Sequence, residues 1–211
     1  AEQYLTQAAA ISSGRIKAKA LHQLGLAHGG AGQWDQAVQY LTESVNLRPD
    51  ASRVWLDLGN AEWKRNRLDE AHAAYGQALA LNKRSADASL LMGLLQAERG
   101  NRVAADAHLA RAVKLDGDNA DYRKALARHL LASSDPSKAR GSLGWLARNA
   151  AEQSDRAYAS AMLALLDRDS ERMLREVRRA ESLRPGGYDD AIEQAELFAR
   201  VRSLLRIKSL Q

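Results

Sequence analysis

The chain has 211 residues, with 31 Lys and Arg against 26 Asp and Glu and a formal net charge of +5 at pH 7. It contains no cysteine, which excludes disulfides, thiolate zinc sites and a cysteine nucleophile and leaves both cytoplasm and periplasm open. Its longest apolar stretches, such as Ala159 to Leu166, are far shorter than the roughly 20 residues of a membrane-spanning helix, so we expect a soluble chain. Abundant alanine, leucine and arginine favour an all-α fold.

A 34-residue period organises most of the sequence. One register of small residues is Gly25, Gly59, Gly93, Ala127 and Ala161. A second register is Ala37, Ala71, Ala105, Ala139 and Met173. Chance does not keep such registers in phase, so the chain is predicted to be an array of structural repeats.

The first residues match the second half of one period. Tyr4-Leu5-Thr6 corresponds to Tyr40-Leu41-Thr42, which aligns Ala1 with Ala37. We therefore expect residues 1–13 to form the second helix of a truncated preceding repeat, as in a fragment of a longer array. The alternative is a mature start left by removal of a signal peptide.

Residues 18–187 are predicted to form five tandem repeats, each made of two antiparallel helices. In the second repeat, both helices carry a packed face with helical spacing, which is i, i+3, i+4, i+7 in the first helix and i, i+4, i+7, i+8 in the second. These faces are Trp55, Leu58, Gly59 and Glu62, then Ala71, Tyr75, Ala78 and Leu79. Gly59 and Ala71 would let the two backbones approach closely. The turns within the pairs are predicted near Gly32, Asn66, Gly100, Ser134 and Arg168, and Asp135 with Pro136 resembles a helix start.

The pattern Trp55-x-x-Leu58-Gly59, followed by Ala71, Tyr75 and Ala78, resembles the tetratricopeptide repeat signature. The resemblance covers residues 18–187 and is stronger in the first three repeats than in the last two. Lys83 and Gly117 stand where the family has proline. The resemblance implies a right-handed superhelical α-solenoid of antiparallel helix pairs, whose first helices line an inner groove that holds other proteins.

Residues 188–211 follow Pro185-Gly186-Gly187 and contain neither glycine nor proline. Their regularly spaced apolar residues predict one long helix. We expect this helix to cap the apolar edge of the array. The alternative is that it begins a further repeat.

No motif for catalysis, a metal or a cofactor was found. The five histidines lack the three- or four-residue spacing of a helical zinc site. The run His28-Gly29-Gly30-Ala31-Gly32 follows no predicted strand and precedes no Lys-Ser or Lys-Thr, so it predicts a helix end and a turn instead of a backbone phosphate cradle. We therefore expect no metal, no cofactor and no enzymatic activity.

The partner-binding surface is predicted on the stripe of each first helix that packing leaves over. The groove residues are Arg53, Leu56, Asn60, Trp63, Leu90, Leu94, Lys124, Arg128, Leu131 and Tyr158. Leu56, Trp63, Leu90 and Leu94 should converge there, and an exposed apolar stripe of this kind marks a binding site. Trp63 is predicted to be the main anchor, with Trp55 turned toward the helix packing. The alternative is that Leu90 and Leu94 pack against a neighbouring helix.

These features predict a protein–protein interaction scaffold that binds a peptide segment or helix of a partner in its groove. The resemblance to the family suggests a fragment of a larger bacterial assembly, or of an envelope or exopolysaccharide-export protein. The clamp for carboxylate tails found in some members is not expected, because only Asn60 matches it. The alternative is a module binding nucleic acid or acidic polysaccharide through the basic last repeats, as at Arg168, Arg172, Arg175 and Arg179. Nucleic acid is not favoured, because most positive charges lie among carboxylates. The oligomeric state is left open.

Overall fold

The computed structural model describes residues 2–133, 136–185 and 187. The described residues form eleven α-helices and one 3-10 helix, and they contain no strand. The prediction of an all-α fold is therefore confirmed. The chain divides into two compact units, Ala1–Asp116 and Gly117–Gln211, which we describe separately. The predicted helix over 188–211 lies outside the described residues.

The first unit contains seven helices. They are α1 (Glu2–Ile11), α2 (Gly14–Gly30), α3 (Trp34–Leu47), α4 (Ser52–Lys64), α5 (Leu68–Leu81), α6 (Ala86–Glu98) and α7 (Arg102–Leu115). The most extensive contacts join α2 to α3, α4 to α5 and α6 to α7, which gives three helix pairs joined by short turns. Helix α1 packs against α2.

The second unit contains α8 (Ala120–Leu131), α9 (Arg140–Asn149), α10 (Gln153–Leu166) and α11 (Ser170–Leu183). A 3-10 helix over Pro136–Ala139 precedes α9. Pro136 thus begins a 3-10 turn and not the first turn of an α-helix, and its predicted cap Asp135 lies outside the described residues. The core of this unit is built by residues of all four helices, including Leu143, Tyr158 and Met173.

Left-handed backbone marks the turns inside the helix pairs. The φ angles are +75° at Gly32, +61° at Asn66, +78° at Gly100 and +60° at Arg168. Glycine and asparagine adopt this conformation at little cost, whereas an arginine there is strained. The turn positions predicted from the 34-residue period are confirmed at these four residues, and Ser134 lies outside the described residues.

Glycines on the first helices let the paired helices touch. A Cβ atom built on Gly59 would lie 2.5 Å from Cε1 of Tyr75, and one on Gly25 would lie 2.6 Å from Cγ of Leu41. Gly93 stands in the same relation to Leu109, with 2.7 Å to Cγ. The close approach predicted at Gly59 is thus present in all three pairs of the first unit.

Replacing Gly59 by alanine is expected to lower the free energy of unfolding by about 1–3 kcal/mol, because the new methyl group overlaps the Tyr75 ring. Gly76 supplies a matched control on α5, since a Cβ there meets nothing within 4 Å. Gly76→Ala should raise stability by about 0.5–1 kcal/mol through helix propensity alone. Urea denaturation of both variants measures the contrast, and effects of the same sign would contradict the packing.

Candidate functional site

A cavity of about 700 Å³ opens beside the C-terminal half of α4 in the first unit. It is lined by Trp34, Asn60, Trp63, Lys64, Asn66 and Leu91. The lining comes from the start of α3, the end of α4 with the turn after it, and α6, so three successive helix pairs contribute. Its volume is typical of a ligand site, and its walls combine large apolar side chains with a few polar groups.

Trp63 is held in place from two sides. Its indole Nε1 donates a hydrogen bond to Oε2 of Glu98 at 2.6 Å, at the end of α6. Its ring meets the Tyr75 ring edge to face, with 6.4 Å between the centroids. The side chain is half-buried and packs against the core around Tyr75. Its position in the cavity wall is therefore preorganised, which reduces the entropy that binding would cost.

Asn60 is oriented by a buried hydroxyl group. Tyr75 donates its O–H to Oδ1 of Asn60 at 2.7 Å. Burial, and secondly the negative charge of Asp57, raise the pKa of Tyr75, so this hydroxyl stays protonated at physiological pH. The bond occupies the carbonyl oxygen of Asn60, and within the described residues no group accepts a hydrogen bond from its amide nitrogen. Asn60 therefore presents N–H donors at the cavity.

A charged network joins the first helices of the three pairs. Asp57 is buried on α4, and its Oδ2 lies 2.8 Å from Nε2 of His22 on α2. Arg53 Nε donates to the same oxygen at 3.3 Å, and its guanidinium lies 3.9 Å from Asp87 on α6. Arg53 is exposed, as predicted for a groove residue, but it already engages two carboxylates. Its exposed pairs contribute little stability and mainly orient the side chain.

The apolar part of the predicted stripe is only partly available. Leu56 is 5% exposed and belongs to the core cluster that contains Tyr75, Met92 and Leu95. Its assignment to the groove is therefore wrong: α4 is flanked by helices on more than one side, so its buried arc is wider than the four positions assumed. Leu90 and Leu94 are half-buried and lie outside the core clusters found among the described residues.

Trp55 and Trp63 are both half-buried, so they differ less in burial than the sequence predicts. Trp55 packs at the edge of two core clusters instead of inside one. Its indole Nε1 donates to the carbonyl oxygen of Pro49 at 2.9 Å. Trp55 therefore braces the turn before α4, and only Trp63 lines the cavity.

The predicted groove residues of the second unit are largely engaged within that unit. Tyr158 is 1% exposed and lies in the core, so its assignment to the groove is wrong. The guanidinium of the exposed Arg128 lies 5.5 Å from the centre of the Tyr158 ring. Leu131 is half-buried and packs against the same core. Met162 lies one turn beyond Tyr158 and is also buried, which shows that this stripe of α10 faces the core.

Lys124 is engaged in a buried ion pair. Its Nζ lies 2.9 Å from Oδ2 and 3.1 Å from Oδ1 of Asp155, and 3.2 Å from Asp121. Burial alone would lower the pKa of Lys124, but the hydrogen bond and charge of Asp155, aided by Asp121, outweigh it and raise this pKa above its ordinary value. A partner would have to displace Asp155 to use this ammonium group, so Lys124 acts structurally.

Sequence reasoning placed Asn60 and Trp63 in the cavity and missed four of its residues. These are Trp34, Lys64, Asn66 and Leu91. Trp34 and Asn66 lie at a helix start and in a turn, where the stripe argument does not reach. For Lys64, the sequence did offer a signal, because this residue directly follows the predicted anchor Trp63.

Two further observations concern metal binding and membrane spanning. No three His, Asp or Glu side chains of the described ranges come together as metal ligands. Among the helices of those same ranges, none is long and apolar enough to cross a membrane.

Comparison with known proteins identifies the repeat type of residues 30–128. The model of the tetratricopeptide repeat family matches residues 30–95 and 63–128. No curated protein matches the sequence. The crystal structure of YrrB, described as a tetratricopeptide repeat protein with an unusual peptide-binding site, superposes with a TM-score of 0.69 at 16% identity and covers 95% of this chain and 99% of YrrB.

Two other solved structures have the same fold. The crystal structure of MamA has a TM-score of 0.63 at 16% identity, covering 84% of this chain and 97% of MamA. The first tetratricopeptide domain of Spaghetti (RPAP3), bound to the HSP90 peptide SRMEEVD, has a TM-score of 0.53 at 21% identity and covers 56% of this chain and 94% of that domain. The helix pairs, the glycine contacts and the family match agree: residues 30–128 are tetratricopeptide repeats, and the chain has the fold of solved tetratricopeptide repeat proteins.

Proposed function

We propose that this chain is a protein–protein interaction scaffold that binds a peptide segment or helix of a partner at the cavity beside Trp63. The observation that carries the proposal is the composition of that cavity: two tryptophans and Leu91 provide apolar walls, and Asn60 and Lys64 provide hydrogen-bond donors. A few oriented polar groups in an apolar cavity are typical of specific recognition.

The donors define what the partner segment should offer. An apolar side chain would fill the space between Trp34, Trp63 and Leu91, and a backbone carbonyl would accept from the amide nitrogen of Asn60. Lys64 has no ion pair within the described residues and would attract an acidic group beside that apolar side chain. The expected motif is thus an apolar residue next to Asp, Glu or a C-terminal carboxylate.

The comparisons support this proposal at the level of the fold. YrrB is described as having a peptide-binding site, and the RPAP3 domain is bound to an HSP90 peptide. A place in a larger bacterial assembly, or in an envelope or exopolysaccharide-export protein, is part of the proposal and rests on the sequence. No catalytic step is included in it.

Peptides selected on the full chain from a random display library are the probes that test the proposal. Trp63→Ala should weaken the selected peptides by about 2 kcal/mol, or about thirtyfold, because it removes the main apolar anchor. Trp145→Ala is the matched control: it removes a half-buried tryptophan from the second unit, where the ring stacks under Arg123 at 4.5 Å.

Fluorescence anisotropy measures both affinities, and circular dichroism verifies that both variants are folded. Trp63 also contacts Tyr75, so its variant should melt somewhat earlier while remaining folded at the assay temperature. If the folded Trp63→Ala variant binds the peptides as tightly as the wild type does, the site is not the cavity.

Salt dependence separates this function from the polyanion alternative. Binding in an apolar cavity should survive moderate salt, whereas counterion release makes polyanion binding fall steeply. Several arginines of the second unit already pair with carboxylates, such as Arg140 with Asp167 at 2.8 Å and Arg179 with Glu176 at 3.7 Å. This pairing favours the peptide over the polyanion.

A further inference from the structure

A second cavity of the first unit, about 680 Å³ in volume, lies between α7 and the turn that joins α5 to α6. It is an open depression of the surface, because all of its lining residues except the half-buried Leu115 are exposed. It is lined by Arg84, Ala107, Ala110, Arg111, Lys114 and Leu115. None of these residues belongs to the cavity beside Trp63. Four of the α7 residues follow i, i+3, i+4, i+7 spacing, so they share one face of the helix.

The walls of this cavity are fixed by hydrogen bonds. One guanidinium nitrogen of Arg111 donates to the carbonyl oxygen of Lys83 at 2.5 Å, which joins α7 to the turn. The backbone N–H of Arg84 donates to Oδ1 of Asn82 at 3.1 Å, which closes the turn itself. Ala107 and Ala110 are small, and their short side chains leave the space between the cations open.

The three cations of this cavity lack a carboxylate partner among the described residues. Some other arginines of the first unit do pair with acids at short range, as Arg65 does with Asp35 at 2.7 Å and Arg99 with Asp69 at 2.6 Å. Across the described ranges, no ion pair involves Arg84, Arg111 or Lys114. The cavity therefore brings together three positive charges that form no ion pair with the described residues.

The helix dipoles favour the positions of only two of these three cations. Arg111 and Lys114 lie near the C-terminal end of α7, where a cation is favourable. Arg84 lies just before the N-terminus of α6, where a cation opposes the helix dipole. An anion bound beside Arg84 would compensate both the guanidinium charge and the positive end of α6.

The neighbouring His108 has a pKa that is lowered by burial and by the charge of Arg111. His108 is half-buried on α7, one turn from Arg111. Burial, then the charge of Arg111 and then His72 lower the pKa of His108. His108 is therefore neutral at pH 7 and adds no charge of its own, so the attraction for an anion rests on the two arginines and the lysine.

We infer that this cavity binds a phosphate-class oxyanion carried by a small ligand, held by Arg84, Arg111 and Lys114. The planar guanidinium groups can each offer two parallel N–H donors to such an anion, and the lysine adds a point charge. Leu115 and the two alanines offer an apolar surface to the rest of the ligand. Side chains form this site, unlike the backbone cradle excluded for residues 28–32. The inference does not depend on the peptide site.

Isothermal titration of the full chain with inorganic pyrophosphate at low ionic strength tests the site. We expect one binding event, with the dissociation constant raised about tenfold by Arg84→Gln and about tenfold by Lys114→Gln. Arg102→Gln is the matched control, because it removes an exposed cation from α7 outside the cavity. Its dissociation constant should change by less than about twofold.

A second variant keeps all three cations. Ala110→Glu places a carboxylate inside the cavity, where it should pair with them and abolish pyrophosphate binding in a folded protein. If pyrophosphate does not bind, or if Arg102→Gln weakens it as much as Arg84→Gln does, the attraction is a diffuse surface effect and the inference fails. Binding of an acidic peptide without binding of pyrophosphate would also overturn it, in favour of a protein-docking surface.

Discussion

Tyr158→Ala is expected to lower the free energy of unfolding by about 3–5 kcal/mol. The side chain is 1% exposed and packs in the core of the second unit with Leu143, Met162 and Met173. Removing the ring takes away its contacts and leaves a void that close-packed helices cannot fully collapse. Urea denaturation followed by circular dichroism measures the loss.

Leu183→Ala provides the control in the same unit, since Leu183 is 45% exposed at the end of α11. Its expected effect is within about 0.5 kcal/mol. A Tyr158→Ala protein that unfolds together with the Leu183→Ala protein would place Tyr158 on the surface, as the sequence predicted, and would contradict the structure.

Lys124→Ala is expected to cost about 3 kcal/mol of stability, because it removes one partner of a buried ion pair. Asp155 is 4% exposed, so little solvent is available to replace the charge and the hydrogen bonds that Lys124 supplies. Arg140→Ala is the control: its pair with Asp167 has a similar N···O distance of 2.8 Å but lies on the surface. That change should cost less than about 1 kcal/mol. Equal losses for the two variants, again from urea titration, would show that burial does not set the strength of these pairs.

The same pair has a defined pH dependence. The pKa of Lys124 is raised in the folded protein, because Asp155 and Asp121 outweigh the effect of burial. Its contribution to stability is therefore fully present below the unfolded-state pKa of about 10.4 and is lost as the pH rises through the folded-state value. The difference in stability between wild type and Lys124→Ala should be constant around pH 7 and shrink above about pH 10.5.

The helix pairs were predictable because their signals are local and repeated. Gly59 must be small to accept Tyr75, and Gly32, Asn66 and Gly100 adopt left-handed turns that few other residues tolerate. Such requirements return with every repeat, so a fixed spacing reveals them. The 3-10 helix at Pro136 could not be predicted in this way, because among the described residues it occurs in one repeat only.

The site was only partly predictable because it depends on how neighbouring helices pack. A stripe argument treats each first helix alone, yet Leu56 contributes to a core that also contains residues of α5 and α6. Conversely, Trp34, Asn66 and Leu91 reach the cavity from three different segments. Their meeting is a property of the tertiary arrangement, and no spacing within one helix reports it.

The glycine contacts have a consequence for how such an array can change by recombination. Gly59 is matched to Tyr75, while Gly25 and Gly93 are matched to leucines, so each first helix fits the second helix of its own pair. Ala127 and Ala161 occupy the same register in the last two repeats and carry the methyl group for which Tyr75 leaves no room. A crossover within a pair that joined α8 to α5 would therefore bring that methyl group against the Tyr75 ring, whereas duplication or loss of a whole pair would keep every match. We therefore expect recombination to duplicate or remove whole helix pairs more readily than single helices.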